Sequence, residues 1–133
     1  MKRWNPIIAA AGLCAATIAL AAPPPITQEQ LLELQASRDP ELLVLDVRSP
    51  EEYAAGHVPG AVNVPYDQVA QRLAEIPKDK DVVLYCRSGR RTGIAAEVLE
   101  SNGYTRLQHL QGDMEAWVKA GRPVEAAAQK PAG

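Results

Sequence analysis

The sequence predicts an α/β fold, a sandwich of helices around a central, mainly parallel sheet. Three observations predict it. The unbroken apolar runs Leu42-Leu43-Val44-Leu45 and Val82-Val83-Leu84-Tyr85 have the pattern of strands covered on both faces. Segments with helical start and stop signals alternate with these runs across short turns. No repeat or low-complexity insert interrupts the series, and 133 residues with 47% apolar content suit one domain. Aromatics make up only 5%, with no Phe, so Leu, Val, Ile and Ala must fill the core.

The first segment is read as a leader outside this fold. Met1-Lys2-Arg3 is a short basic region, Ile7 to Ala22 is almost unbroken Ala, Ile and Leu, and Ala19-Leu20-Ala21 is a small-x-small cleavage pattern. Residues 1–21 are therefore expected to be a signal peptide, and the mature protein to be periplasmic or secreted. The apolar stretch is interrupted by Gly12 and Thr17 and falls short of the ~20 residues that span a bilayer comfortably. A lipoprotein site would need a small residue before Cys14, where Leu13 stands. Loss of Lys2 and Arg3 takes the basic side chains from 14 to 12 against 16 acidic ones, a net charge of −4. That balance predicts neither nucleic-acid binding nor stable membrane association after cleavage.

Residues 22–25, with Pro23-Pro24-Pro25, read as a stiff extended lead-in. Thr27 is a candidate N-cap with Gln30 as its capping-box partner, and Leu31, Leu32 and Leu34 give the helix an apolar face to about Ser37. The strand at Leu42–Leu45 leads into Asp46-Val47-Arg48. Ser49-Pro50-Glu51-Glu52 then supplies an N-cap, a first-turn proline and first-turn acids for a short helix that stops by Gly56. His57-Val58-Pro59-Gly60 reads as a turn and Ala61–Val64 as a short strand closed by Pro65. Asp67 to Ile76 is expected to be helical, with Val69, Leu73 and Ile76 on one side. After the strand at Val82–Tyr85 comes a loop from Cys86, then a helix from about Thr92 to Ser101 stopped by Asn102-Gly103. Leu107–Leu110 is the last strand, Met114–Ala120 the last helix, and residues 124–133 are expected to be a disordered tail.

The chemistry is expected at Cys86. If the leader is removed, Cys14 goes with it, and Cys86 is left without an intramolecular disulfide partner. It opens Cys86-Arg87-Ser88-Gly89-Arg90-Arg91-Thr92 at a strand-to-helix junction, where α/β folds locate their sites. Backbone N–H groups of the loop, the helix's N-terminal end and Arg87, Arg90 and Arg91 together favour a thiolate and a bound anion. Position, at the end of the apolar run among charged and turn residues, argues against a merely gap-filling cysteine. Phosphatases of related layout use C-x5-R; here the fifth residue is followed by Thr92, and Arg91 falls one place early. A smaller cradle fits a sulfur carried on sulfur better than a phosphate monoester. A thiol–disulfide oxidoreductase is disfavoured by the missing second cysteine. No cluster of metal-ligand residues is evident, and no organic cofactor is expected.

Three signatures carry a family resemblance. Asp46-Val47-Arg48-Ser49-Pro50-Glu51-Glu52-Tyr53 with Gly56–Pro65 resembles the first signature of single-domain rhodaneses, and Val83–Thr92 resembles their active-site loop. Gln111-Gly112-Asp113-Met114-Glu115-Ala116-Trp117 resembles their last signature, with Asp113 where a glycine is usual and expected to lie away from the loop. The resemblance implies a rhodanese-like sandwich over residues 26–123 and sulfurtransferase chemistry. Cys86 would be the nucleophile that carries a persulfide. Arg87, Ser88, Gly89, Arg90, Arg91 and Thr92 would hold a small anionic sulfur donor such as thiosulfate, and cyanide or a thiol would be the acceptor. The alternative is a sulfur-carrier or partner-binding module of the same family without turnover. Asp46 and Arg48 are read as supporting residues, Asp46 orienting a loop arginine or accepting from loop donors and Arg48 pairing with Glu52. His57 is read as a turn residue bonded to backbone, Trp117 as core, and His109 is given no role.

Overall fold

The computed structural model describes residues 22–127, so the expected leader at residues 1–21 lies outside the described residues. Five parallel strands form one sheet in the order β1-β5-β4-β2-β3. They are β1 (Pro25–Ile26), β2 (Leu42–Asp46), β3 (Val62–Asn63), β4 (Asp81–Tyr85) and β5 (Leu107–Leu110). The helices are α1 (Gln28–Ala36), α2 (Pro50–Ala55), α3 (Arg90–Ser101) and α4 (Asp113–Lys119).

The two apolar runs are the central strands, paired in register from Leu42 opposite Asp81 to Asp46 opposite Tyr85. Their side chains alternate between the two faces. Leu45, Val82, Leu84 and Cys86 face a core built with Ala95, Ala96 and Leu99 of α3, together with Val69, Ile76 and Tyr104. Val44, Val83 and Tyr85 face the other, with Leu31 of α1, Val58, and Met114 and Trp117 of α4. Trp117 is fully buried and its indole N–H donates to Pro123 O at 2.7 Å, as a core residue requires.

Local signals account for the helix starts. The expected capping box of Thr27 with Gln30 opens α1, and the expected Ser49 N-cap opens α2 as a capping box too, with Glu52 as its partner. The helix α3 begins at Arg90, two residues earlier than its sequence signals indicate, with Gly89 as its N-cap.

The segment Asp67–Ile76 departs from its expected helix and forms two 3-10 turns, Val69–Gln71 and Leu73–Glu75. Arg72 leaves helical dihedrals between them (φ −121°, ψ 25°). The Tyr104 hydroxyl takes the Ile76 carbonyl, which a longer helix would use, and lies 3.1 Å from the Leu73 carbonyl, which also accepts Ile76 N–H. Apolar spacing still brings Val69 and Ile76 into the core; the local backbone follows the tertiary acceptor pattern.

The proline-rich lead-in also does more than its composition indicates. Its last residue, Pro25, joins Ile26 in the edge strand β1, opposite His109 and Leu110 of β5. Proline is tolerated there because an edge strand has one side free of the ladder. At the other end, the chain expected to leave the domain at Val124 stays against it through Ala127. His57 and Glu125 exchange backbone hydrogen bonds of 2.8 and 2.9 Å, and Ala127 N–H donates to Ala54 O at 3.1 Å. Residues 128–133 of the expected tail lie outside the described residues.

Candidate active site

The parallel order of β2 and β4 brings Asp46-Val47-Arg48 and the loop after Tyr85 to the same end of the sheet. Cys86 follows β4 directly, is buried, and its Sγ accepts the N–H of Gly89 at 2.9 Å. The loop thus turns back on its own thiol. Gly89 has φ +114°, a conformation open to glycine and strained for other residues. The first turn of α4 holds the loop's other side: Met114 N–H donates to Cys86 O at 3.0 Å and Glu115 N–H to Arg87 O at 3.2 Å.

The three loop arginines part company. Arg91 turns to Glu52 of α2 in a two-bonded pair at 2.6 and 3.0 Å, so in this state it serves the scaffold. Arg91's hydrogen bonds hold the Glu52 carboxyl at about 2, against the opposing effect of partial burial. Arg90 is exposed on the first turn of α3, beside Ala22 and Pro23. Arg87 is exposed and lines an open cleft of about 330 Å³ with Arg48, Glu52, Met114, Glu115 and Val118. Ser88 is exposed at the loop tip, and Thr92 is buried.

Asp46 and Arg48 take other partners than those expected. Asp46 is fully buried, lies on Tyr85's face of the sheet and hydrogen-bonds to no loop arginine; it acts on Arg91 only through its charge. It accepts from Arg48 N–H at 2.9 Å, from Arg48 Nη2 at 2.7 Å and from the Tyr85 hydroxyl at 2.7 Å. Arg48 pairs with Asp46 where Glu52 was expected, and its Nη2 also donates to Gly56 O at 2.7 Å. Burial works against the Arg48 cation, but the Asp46 hydrogen bonds and charge outweigh it and raise its pKa. Burial and the Asp46 charge push the Tyr85 hydroxyl up, so it stays protonated, donating to Asp46 and accepting Val58 N–H at 3.0 Å. His57 behaves as expected of a turn residue: its Nδ1 lies 2.7 Å from Tyr53 O and its ring stacks on Tyr53 at 3.7 Å.

The expectation for Asp113 is overturned. It lies under the Cys86 loop, buried, with its Oδ1 accepting Cys86 N–H at 3.0 Å, the Thr92 hydroxyl at 3.3 Å and His109 Nε2–H at 2.8 Å. Burial pushes its carboxyl up, but these hydrogen bonds prevail and hold it below the ordinary aspartate range. His109, given no role from sequence, is therefore part of the site. Two signals pointed here: an acid at a position where a glycine is usual, and a histidine four residues before it. Tyr85 was hidden in an apolar run, although a buried phenol needs a partner for its hydroxyl.

The chain is similar to known proteins. Residues 27–120 match the family described as Rhodanese-like domain. A protein named Sulfurtransferase from Allochromatium vinosum is 43% identical over 101 residues, covering 76% of this chain and 94% of its own length. The Thiosulfate:glutathione sulfurtransferase of Saccharomyces cerevisiae is 35% identical, over 70% of this chain and 76% of its own. Among solved structures, the rhodanese-like domain of an Anabaena protein superposes with a TM-score of 0.70 at 28% identity, covering 83% of this chain and 86% of that one.

Proposed function

The chain belongs to the rhodanese-like family of sulfurtransferases, and from that premise we propose that it moves a sulfane sulfur from thiosulfate or a persulfide donor to cyanide or a thiol through a persulfide on Cys86. One observation carries the reading: the loop folds back so that the Gly89 N–H points at Cys86 Sγ from 2.9 Å. A donor aimed at the sulfur stabilises the anionic forms of the cycle, thiolate and persulfide alike.

The cycle has two halves. The Cys86 thiolate attacks the outer sulfur of thiosulfate, an S–S bond forms, the S–S bond of thiosulfate breaks, and sulfite leaves with the electron pair. The acceptor then attacks the terminal sulfur of the persulfide; the Cys86–sulfur bond breaks and its electron pair returns to the thiolate. With cyanide the product is thiocyanate, and with a thiol it is a new persulfide. No net oxidant is needed. The exposed Arg87 guanidinium at the cleft supports the approach of an anionic donor, whereas the Arg91–Glu52 pair argues for a scaffold role for Arg91.

Export belongs to the same proposal: residues 1–21 direct the chain out of the cytoplasm and are removed. Mass measurement of the protein recovered from a secreting host should find a chain beginning at Ala22.

The test of the chemistry is direct. Thiosulfate should add one sulfur atom to Cys86, seen by intact and peptide mass spectrometry, and cyanide should then release thiocyanate over many turnovers. Folded, reduced protein that gains no sulfur would sink the proposal; sulfur gained but not turned over would favour the carrier alternative. Cys86→Ser should lose turnover by at least about a thousandfold, the scale for removal of a nucleophile, with an unchanged circular dichroism spectrum.

A further inference from the structure

We propose that His109 and Asp113 form a positioning pair beneath the Cys86 loop, in which the carboxylate that His109 holds in place sets how readily the loop admits an anion. The identity of that anion as a sulfur donor rests on the sulfur-transfer reading; the coupling itself rests on geometry.

One carboxylate oxygen ties down both ends of the loop. Asp113 Oδ1 accepts from Cys86 N–H at 3.0 Å at its start and from Thr92 Oγ1 at 3.3 Å in the first turn of α3. The third bond, from His109 at 2.8 Å, goes to the same atom. An ionised carboxylate only accepts, so His109 Nε2 carries the hydrogen of this bond. The Asp113 side chain is 3% exposed and that of His109 29%, so solvent reaches the imidazole while the carboxylate stays shielded.

The pair also touches the loop apex. A Cβ placed on Gly89 would lie 3.3 Å from Asp113 Oδ2 and 3.4 Å from His109 Cε1. Gly89 is the residue whose N–H reaches Cys86 Sγ. The pair therefore sets the Asp113 charge beneath the anion cradle. Around it, the β4–α3 junction contributes the Cys86 thiol, and the first turn of α3 contributes the uncharged Thr92 and the exposed Arg90. The neighbouring strand β1 sets Pro25 opposite His109. Arg91 pairs with Glu52, and its charge also acts on Cys86.

The experiment reads the local potential without requiring turnover. Cys86 in the full chain is alkylated with anionic iodoacetate and with neutral iodoacetamide at one fixed pH. The ratio of the two rates cancels the thiolate fraction and leaves the preference for an anion. Asp113→Asn retains an acceptor for Cys86 N–H and suits the positive φ of 55° at this position; loss of the charge should raise the ratio roughly two- to tenfold. His109→Gln, which retains an N–H donor for Asp113, should keep the wild-type ratio, whereas His109→Ala, which leaves the carboxylate unheld, should shift it. Asp113→Asn should also lower the KM for thiosulfate more than it changes kcat. No change of the ratio in Asp113→Asn, or equal ratios in His109→Gln and His109→Ala, would overturn the pair. The expected ratios without any persulfide on Cys86 would uphold the coupling and overturn only the sulfur-transfer reading.

Discussion

Asp46 has no exposed surface and is tied to Arg48, itself 6% exposed. Removing the carboxylate would leave a buried guanidinium and the Tyr85 hydroxyl without their common partner. Asp46→Ala is therefore expected to destabilise the domain by about 3–5 kcal/mol, measured as a fall in urea midpoint with an unchanged slope. The effect should reach the site only indirectly, since Asp46 lies on the face of the sheet away from Cys86. Sequence alone marks Asp46 and Arg48 as supporting residues at a strand end, but assigns them separate partners, a loop arginine or loop donors for Asp46 and Glu52 for Arg48. Their true partners were hidden. Tyr85 lies 39 residues from Asp46 along the chain and meets it only through strand register.

At the scale of elements, α2 and the Cys86 loop are joined by Glu52, which serves two masters. It closes the capping box with Ser49 and pairs with Arg91. Its pKa of about 2 in the fold lies below the ordinary 4.5, so the pair contributes fully above pH 4.5 and is lost as the pH falls toward 2. Both side chains reach solvent, which keeps the contribution small. Glu52→Gln should flatten part of the decline in stability between these pH values, read from urea midpoints across the acid range. The Ser49 N-cap was plain in the sequence because the signal is local. The link to Arg91 was not, because it depends on how α2 and the start of α3 meet across the sheet end. The missing helix at Asp67–Ile76 has the same origin: its apolar spacing was read correctly, while the Tyr104 hydroxyl that takes the Ile76 carbonyl comes from the far side of β4.

Across the whole molecule, residues 124–127 brace the segment that also anchors Arg48. A Cβ placed on Gly56 would lie 2.8 Å from Val124 Cγ1, and Gly56 O is the acceptor for Arg48. A chain ending at Pro123 should fold and lose about 1–2 kcal/mol, the scale of a few backbone bonds and one apolar contact. Hydrogen exchange should show the His57 amide, now bonded to Glu125 O, losing protection first. The α/β class and the Cys86 loop could be read from sequence because both are written in contiguous residues. The edge strand β1 and the His109–Asp113 contact could not, since each exists only once distant segments are side by side. The position of β1 also has a consequence for how the domain comes into being. It opens the described chain yet finds its partner in β5, whose last residue is Leu110. During synthesis that edge stays open until nearly the whole domain has emerged, so the sheet closes late and as one unit, with the long loop closures that slow such topologies.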